Sequence, residues 1–257
     1  MVNHHKVPPA PCVAYGEHPD QVANLHLPAA DGGPWPCVVL LHGGFWRTGW
    51  DRTLMTPLAH DLAGRGIAAW NVEFRRVGQA GGGWPGTLDD VAAALDRLTD
   101  LDDVDPLRVV TCGHSAGGHL AVWLAARHRL AGGSRWAEPR VRPLAAIAQA
   151  GVLDLHRGHE EGLGGGAVAG LLGETTSERF AAASPAALAP LGVPQLLVHG
   201  TADDIVPVAQ SRIHAELDSG AKLVELEGAD HFDVIDPAHG AWDAVVEWLP
   251  HALARHA

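Results

Sequence analysis

The 257-residue chain is 47% hydrophobic and 19% charged, which gives it material for a large core and excludes a disordered protein. With 18 Lys+Arg against 30 Asp+Glu the net charge is −12, which argues against nucleic acid and anionic membranes as partners, since both attract surplus cations. No apolar run approaches the roughly 18 residues of a membrane-spanning helix, and residues 1–11 have no apolar stretch after a basic start, so no signal peptide is expected.

Cys12–Tyr15 and Gln21–Leu27 read as short strands around a turn at Gly16–Asp20, an antiparallel hairpin at a sheet edge. Apolar runs of strand length follow at Cys37–Leu41, Ile67–Phe74, Arg108–Cys112, Leu144–Ala150 and Gln195–Val198, while Lys222–Leu226 alternates more. Helical patterns fall between them, at Leu54–Leu62, Thr87–Leu98, Ala116–Arg127, Val208–Leu217 and Ala241–Leu249. In the most regular of these, Leu88, Val91, Leu95 and Leu98 share a face and acids fill the first turn. This alternation predicts a single α/β domain with a mostly parallel sheet covered on both faces. From Leu153 to Leu191 the chain is polar, Gly-rich and short of clear strands. An insertion of that length predicts a lid over a site, or else a surface excursion without a role. Cys12, Cys37 and Cys112 cannot all pair, and so few cysteines fit a reducing, cytoplasmic compartment, with a single Cys12–Cys37 bridge left open.

The most informative stretch is Gly113-His114-Ser115-Ala116-Gly117, entered from a strand and left by a helix. A strand-to-helix turn this tight strains its central residue, and small residues two positions either side avoid a clash. Ser115 then stands exposed above the sheet with a helix N-terminus beneath it, which favours developing negative charge. The competing reading is a Gly-rich turn that needs serine only as an N-cap.

Leu41-His42-Gly43-Gly44-Phe45-Trp46 follows an earlier strand. Acyl transfer puts negative charge on a carbonyl oxygen, and backbone N–H donors must already be in place to meet it. The N–H groups of Gly44, Phe45 and Ala116 are the candidates for this oxyanion hole. His42 is expected to pack or hydrogen-bond beneath the loop.

A serine nucleophile needs a base, and the base an orienting acid, in the order serine, acid, histidine. His199-Gly200-Thr201-Ala202-Asp203-Asp204 follows one strand and Gly228-Ala229-Asp230-His231 another. Asp203 and His231 complete the candidate triad, with Asp204 and Asp154 as rival acids. His156-Arg157-Gly158-His159-Glu160-Glu161 lacks the His-Glu-x-x-His order that puts two metal ligands and a base on one helical face, and His4-His5 carries no stronger signal, so no metal is expected. Gly162-x-Gly164-Gly165-Gly166 follows no strand, against a dinucleotide loop.

Together these motifs resemble the α/β-hydrolase superfamily, over about Val13–Trp248. His42-Gly43-Gly44-Phe45-Trp46 looks like the HGGxW loop of kynurenine formamidases and of related feruloyl-esterase and lipase-like bacterial esterases, and Gly113–Ala121 fits the same group. His199-Gly200-x-x-Asp203-x-x-Val206-Pro207 is shared with prolyl-oligopeptidase-like catalytic domains as well. The resemblance implies an eight-stranded, mostly parallel sheet, no cofactor and an acyl-serine intermediate. Phe45 replaces the third glycine of hormone-sensitive-lipase relatives, and Phe74 stands where relatives often carry tyrosine. The expected activity is a carboxylesterase acting on a small or medium ester, with an arylformamidase acting on N-formylkynurenine or an aminopeptidase-like amidase as alternatives. The expected partner is thus a small-molecule ester or amide. Trp46, Trp84 and His114 are the candidate substrate-binding residues. Trp46, Trp50 and Trp84 all lie in loops near strand ends, where they line an aromatic or acyl pocket or equally cover a core edge, and Trp46 is better placed to brace the oxyanion loop than to touch substrate. Nothing in the sequence specifies an oligomeric state.

Overall fold

The structure, a computed structural model, describes residues 10–254 except Asp31. His4-His5 and most of the segment read above as lacking a leader therefore lie outside the described residues. Eight strands form one sheet: β1 (Cys12–Ala14), β2 (Val22–His26), β3 (Trp35–Leu41), β4 (Ala68–Val72), β5 (Val104–His114), β6 (Ala145–Gln149), β7 (Gln195–Gly200) and β8 (Ala221–Leu226). Their order is β1-β2-β4-β3-β5-β6-β7-β8. β1 and β2 pair antiparallel at the edge and β2 runs antiparallel to β4, while β4, β3, β5, β6, β7 and β8 are parallel.

Strand alternation sends side chains to two cores. Val38, Leu40, Val110 and Ile147 face α1 (Thr56–Gly64), through Leu58 and Leu62, and α9 (Gly240–Ala252), through Trp242 and Val245. Val39, Leu41, Trp70 and Val72 face the other way. There α2 (Gly86–Asp96) contributes Leu88, Val91 and Leu95, and α3 (Ala116–Ala126) contributes Leu120 and Leu124.

The segment between β6 and β7 forms four short helices: α4 (Leu155–Glu160), α5 (Leu163–Leu172), α6 (Ser177–Ala183) and α7 (Pro185–Leu188). It is less polar in place than its composition implies. Leu153, Leu155, Val168, Leu171, Leu172, Phe180 and Leu188 are buried and join the core that α3 borders. His156 and Arg157 instead pair with Glu160 and Glu161 on the outside of α4. After β7, α8 (Ala209–Leu217) leads to β8. All three cysteines are free, Cys12 exposed and the other two buried. No described helix is long and apolar enough to cross a membrane.

Candidate active site

The chain runs from β3 outward to β4 and returns to β5 on the other side of β3. That reversal opens a crevice at the strands' carboxyl ends. Leu41 pairs with Gly113 there, so the loops leaving β3 and β5 emerge side by side.

Ser115 stands between β5 and α3 with φ 55° and ψ −118°, a left-handed backbone that costs a non-glycine residue on the order of 1–3 kcal/mol. The surroundings hold it there. Its N–H donates to Gln149 O at 2.8 Å and its carbonyl accepts from Val152 N at 3.3 Å. A β-carbon at Gly113 would collide with Gly117 O, and one at Gly117 with Leu41 O, so the strand and α3 approach this closely only through glycine. The Ser115 side chain makes no capping bond to α3, which removes the N-cap explanation for a serine here.

Beside it, Gly44–Arg47 closes a turn through Arg47 N to Gly44 O at 3.0 Å. Phe45 and Trp46 in its middle have φ 52° and 57°, the φ signs of a type I′ turn built without glycine at either central position. Among the described residues, neither the Gly44 nor the Phe45 N–H donates to a backbone carbonyl. A β-carbon on Gly43 would lie 3.1 Å from Ser115 Cβ, so the turn abuts the serine. His42 lies beneath it, Nδ1 on Gly43 O at 2.7 Å and Nε2 on Glu73 Oε1 at 3.1 Å, with its ring stacked on Phe74 at 4.4 Å.

The loops after β7 and β8 bring Asp203 and His231 together. His231 Nδ1 donates to Asp203 Oδ2 at 2.7 Å. This fixes the tautomer and leaves Nε2 as the basic nitrogen. Asp203 Oδ1 accepts from Ile205 N at 2.9 Å and Val206 N at 2.8 Å. Its Oδ2 is also 3.3 Å from Nε2 of His199, which heads the same sequence motif but to which the sequence assigns no role. Burial raises the Asp203 pKa, but hydrogen bonds from His199, His231 and Val206 N–H outweigh it and hold the carboxyl well below its ordinary range. Of the rival acids, Asp204 is exposed and Asp154 caps α4 by accepting from Arg157 N at 3.0 Å.

Ser115, His231, Gly44, Phe45 and His114 line one cleft of about 110 Å³, walled by Trp50, Leu54, Ile205 and Phe232. Hollows of about 590 and 380 Å³ lie elsewhere. Of these three spaces only the small cleft has a strained serine beside a buried, hydrogen-bonded histidine–aspartate pair. His114 Nε2 donates to His231 O at 2.8 Å, and burial lowers its pKa to about 3, so its Nδ1 is a lone-pair acceptor with no hydrogen-bond partner among the described residues.

The other two candidate substrate contacts lie elsewhere. Trp46 is 1% exposed, and its indole donates to His119 Nδ1 at 3.2 Å. Trp84 packs edge-on against Trp136 at 5.2 Å, with the Arg179 guanidinium 5.6 Å from its ring centre. Neither lines the cleft. Trp46 faces inward because the left-handed turn directs it toward α3, and Trp84 is held between Trp136, which precedes β6, and Arg179 of α6. The walls supplied by Leu54, Ile205 and Phe232 carry no sequence signal beyond apolarity and nearness to the motifs.

The BD-FAE family profile matches residues 23–217. A probable isoprenylcysteine alpha-carbonyl methylesterase from Oryza sativa subsp. japonica is 27% identical over 91% of this chain and 61% of its own length. The chain thus spans about three fifths of that relative. A truncated carbohydrate esterase from gut microbiota superposes with TM-score 0.80 at 18% identity, covering 95% of both chains, a likeness of fold. Esterase 2 of Thermogutta terrifontis with butyrate bound gives TM-score 0.77 at 25% identity over 98% of both chains. The same esterase has been solved phosphoramylated by tabun, at TM-score 0.75 and 25% identity over the whole of both chains.

Proposed function

The chain belongs to the BD-FAE family, and from that premise we propose that it is a serine carboxylesterase, cleaving an ester of a small or medium carboxylic acid through an acyl-serine. The observation that carries the proposal is the strained Ser115 sharing a cleft with His231, whose Nδ1 is bound to Asp203 at 2.7 Å. The ester chemistry named for the rice relative and for the Thermogutta esterase supports it.

In this mechanism Ser115 Oγ attacks the acyl carbon as His231 Nε2 takes its proton. Asp203 holds the imidazole tautomer and stabilises the imidazolium. The N–H groups of Gly44, Phe45 and Ala116 meet the oxyanion, with the N-terminus of α3 beneath. The leaving alcohol departs with the proton from His231. Water, deprotonated by His231, then attacks the acyl-serine and releases the acid. Asp203 is deeply ionised and therefore acts as an acceptor rather than as a proton donor. In the same proposal the helices between β6 and β7 cap the site beside Phe45.

The test is turnover of short p-nitrophenyl esters and of N-formylkynurenine by the wild type and Ser115→Ala. Faster ester cleavage, abolished in the variant, is the expected result. Preferential cleavage of N-formylkynurenine would make the protein a formamidase instead, and wild-type turnover by Ser115→Ala would reject the nucleophile.

A further inference from the structure

The turn that carries two of the three oxyanion donors is under strain. Phe45 and Trp46 are consecutive non-glycine residues with left-handed φ, each costing about 1–2 kcal/mol. Such a conformation persists only where neighbouring groups over-determine it. On its inner side the turn is held by the Trp46 indole on His119 and by Val77 N donating to Trp46 O at 2.7 Å. On its outer side Arg47 hydrogen-bonds across to the helices after β6. The Arg47 guanidinium donates through NH1 to Gly164 O at 2.9 Å and through NH2 to Gly165 O at 3.2 Å.

Gly164, Gly165 and Gly166 have φ 57°, 62° and 78° at the start of α5. This left-handed turn presents consecutive carbonyls to a forked donor, a geometry that suits guanidinium and not ammonium. Gly164 also rests against the Phe45 ring: a β-carbon there would lie 2.6 Å from two ring carbons. Phe45 and Arg47, either side of Trp46, thus grip the same glycine turn.

We infer that Arg47 is a positioning residue for the oxyanion hole, latching the strained Phe45 N–H in place against the Gly164–Gly166 turn. The inference rests on the serine-hydrolase proposal and adds to it a role for the segment between β6 and β7, which becomes the outer buttress of the oxyanion turn. A buttress of this kind touches no substrate. Its removal lowers the rate of acyl transfer more than it weakens binding, because the donors are needed most once charge has developed on the oxygen.

The experiment compares Arg47→Ala and Arg47→Lys with the wild type in steady-state cleavage of p-nitrophenyl acetate and in the second-order rate of Ser115 labelling by a fluorophosphonate. Thermal melts confirm that assays run well below unfolding. Arg47→Ala is expected to lose about 10- to 100-fold in kcat, part of the 10²- to 10³-fold that a whole donor is worth. KM should move less than about threefold, and labelling should slow in parallel with kcat. Arg47→Lys should fall between the two, keeping the charge but not the fork. Should Arg47→Ala unfold, Gly164→Ala, which pushes on Phe45 directly, is expected to show the same paired loss. Unchanged kcat and labelling, or a loss expressed only in KM, would overturn the inference while leaving the esterase proposal standing. A wild type that neither labels nor turns over ester would reject both.

Discussion

Oδ2 of Asp203 lies 2.7 Å from Nδ1 of His231 and 3.3 Å from Nε2 of His199. Both imidazoles direct N–H groups at one carboxylate oxygen, and the other oxygen takes two backbone N–H groups. His199 has no freedom to turn away: Nε2 also faces Val206 O at 2.9 Å, and Nδ1 accepts from Ser211 Oγ at 2.7 Å. The acid of the candidate triad is therefore fixed on both sides before any substrate arrives.

Asp203→Asn should lower kcat by roughly 10⁴, because an amide lets His231 settle in the wrong tautomer. The loss should be largest near neutral pH, and a loss under tenfold would show that Asp203 is not the orienting acid. The Asp203 pKa is depressed in the fold. Its contribution to stability is therefore present above the ordinary carboxyl pKa and lost as pH falls through the folded value. Acid melts of the wild type should thus steepen below about pH 4 more than those of Asp203→Asn.

Acid should weaken the fold earlier through its buried histidines. Burial lowers His114 to about 3, and His119 and His214 to about 4. Between those values and the ordinary 6.5 the unfolded chain binds protons that the folded chain does not, so stability rises with pH across this window and is lost as pH falls from about 6.5. Each histidine contributes at most about 1.4 kcal/mol per pH unit. Melting temperatures should hold nearly level from pH 7.5 to about 6.5 and decline steadily from there to about 4.5, and a flat profile from 6.5 to 4.5 would contradict the neutral, buried state of these rings.

What was legible in the sequence is what depends on neighbours along the chain. The Ser115 elbow, the glycines around it and the β-strand runs are local demands, and the strands fall within a few residues of their predicted bounds. Trp46 and Trp84 show where that stops: both sit in loops near the site, and only packing against His119 and Trp136 decides that neither reaches the cleft. The helices after β6 were hidden for a related reason. Gly162–Gly166 break the periodicity, so the apolar face formed by Val168, Leu171 and Leu172 reads as isolated residues.

Trp50 and Phe232 stack at 5.7 Å across the cleft and are 46% and 40% exposed. The space they border, about 110 Å³, is well below the roughly 300 Å³ at which drug-sized sites begin. Trp50→Ala and Phe232→Ala should each raise octanoate over acetate kcat/KM for p-nitrophenyl esters, by about tenfold or more, as pocket methylenes commonly do. An unchanged ratio in both variants would show that these rings do not limit substrate size.

Whether Ser115 is an activated nucleophile is read most directly from the intact mass of the wild type and of Ser115→Ala after exposure to a fluorophosphonate. One adduct per chain is expected on the wild type and none on Ser115→Ala, with a fall of about 10⁶ in ester turnover for the variant. An adduct retained by Ser115→Ala, or a wild type that turns over ester yet takes no adduct at Ser115, would contradict that role.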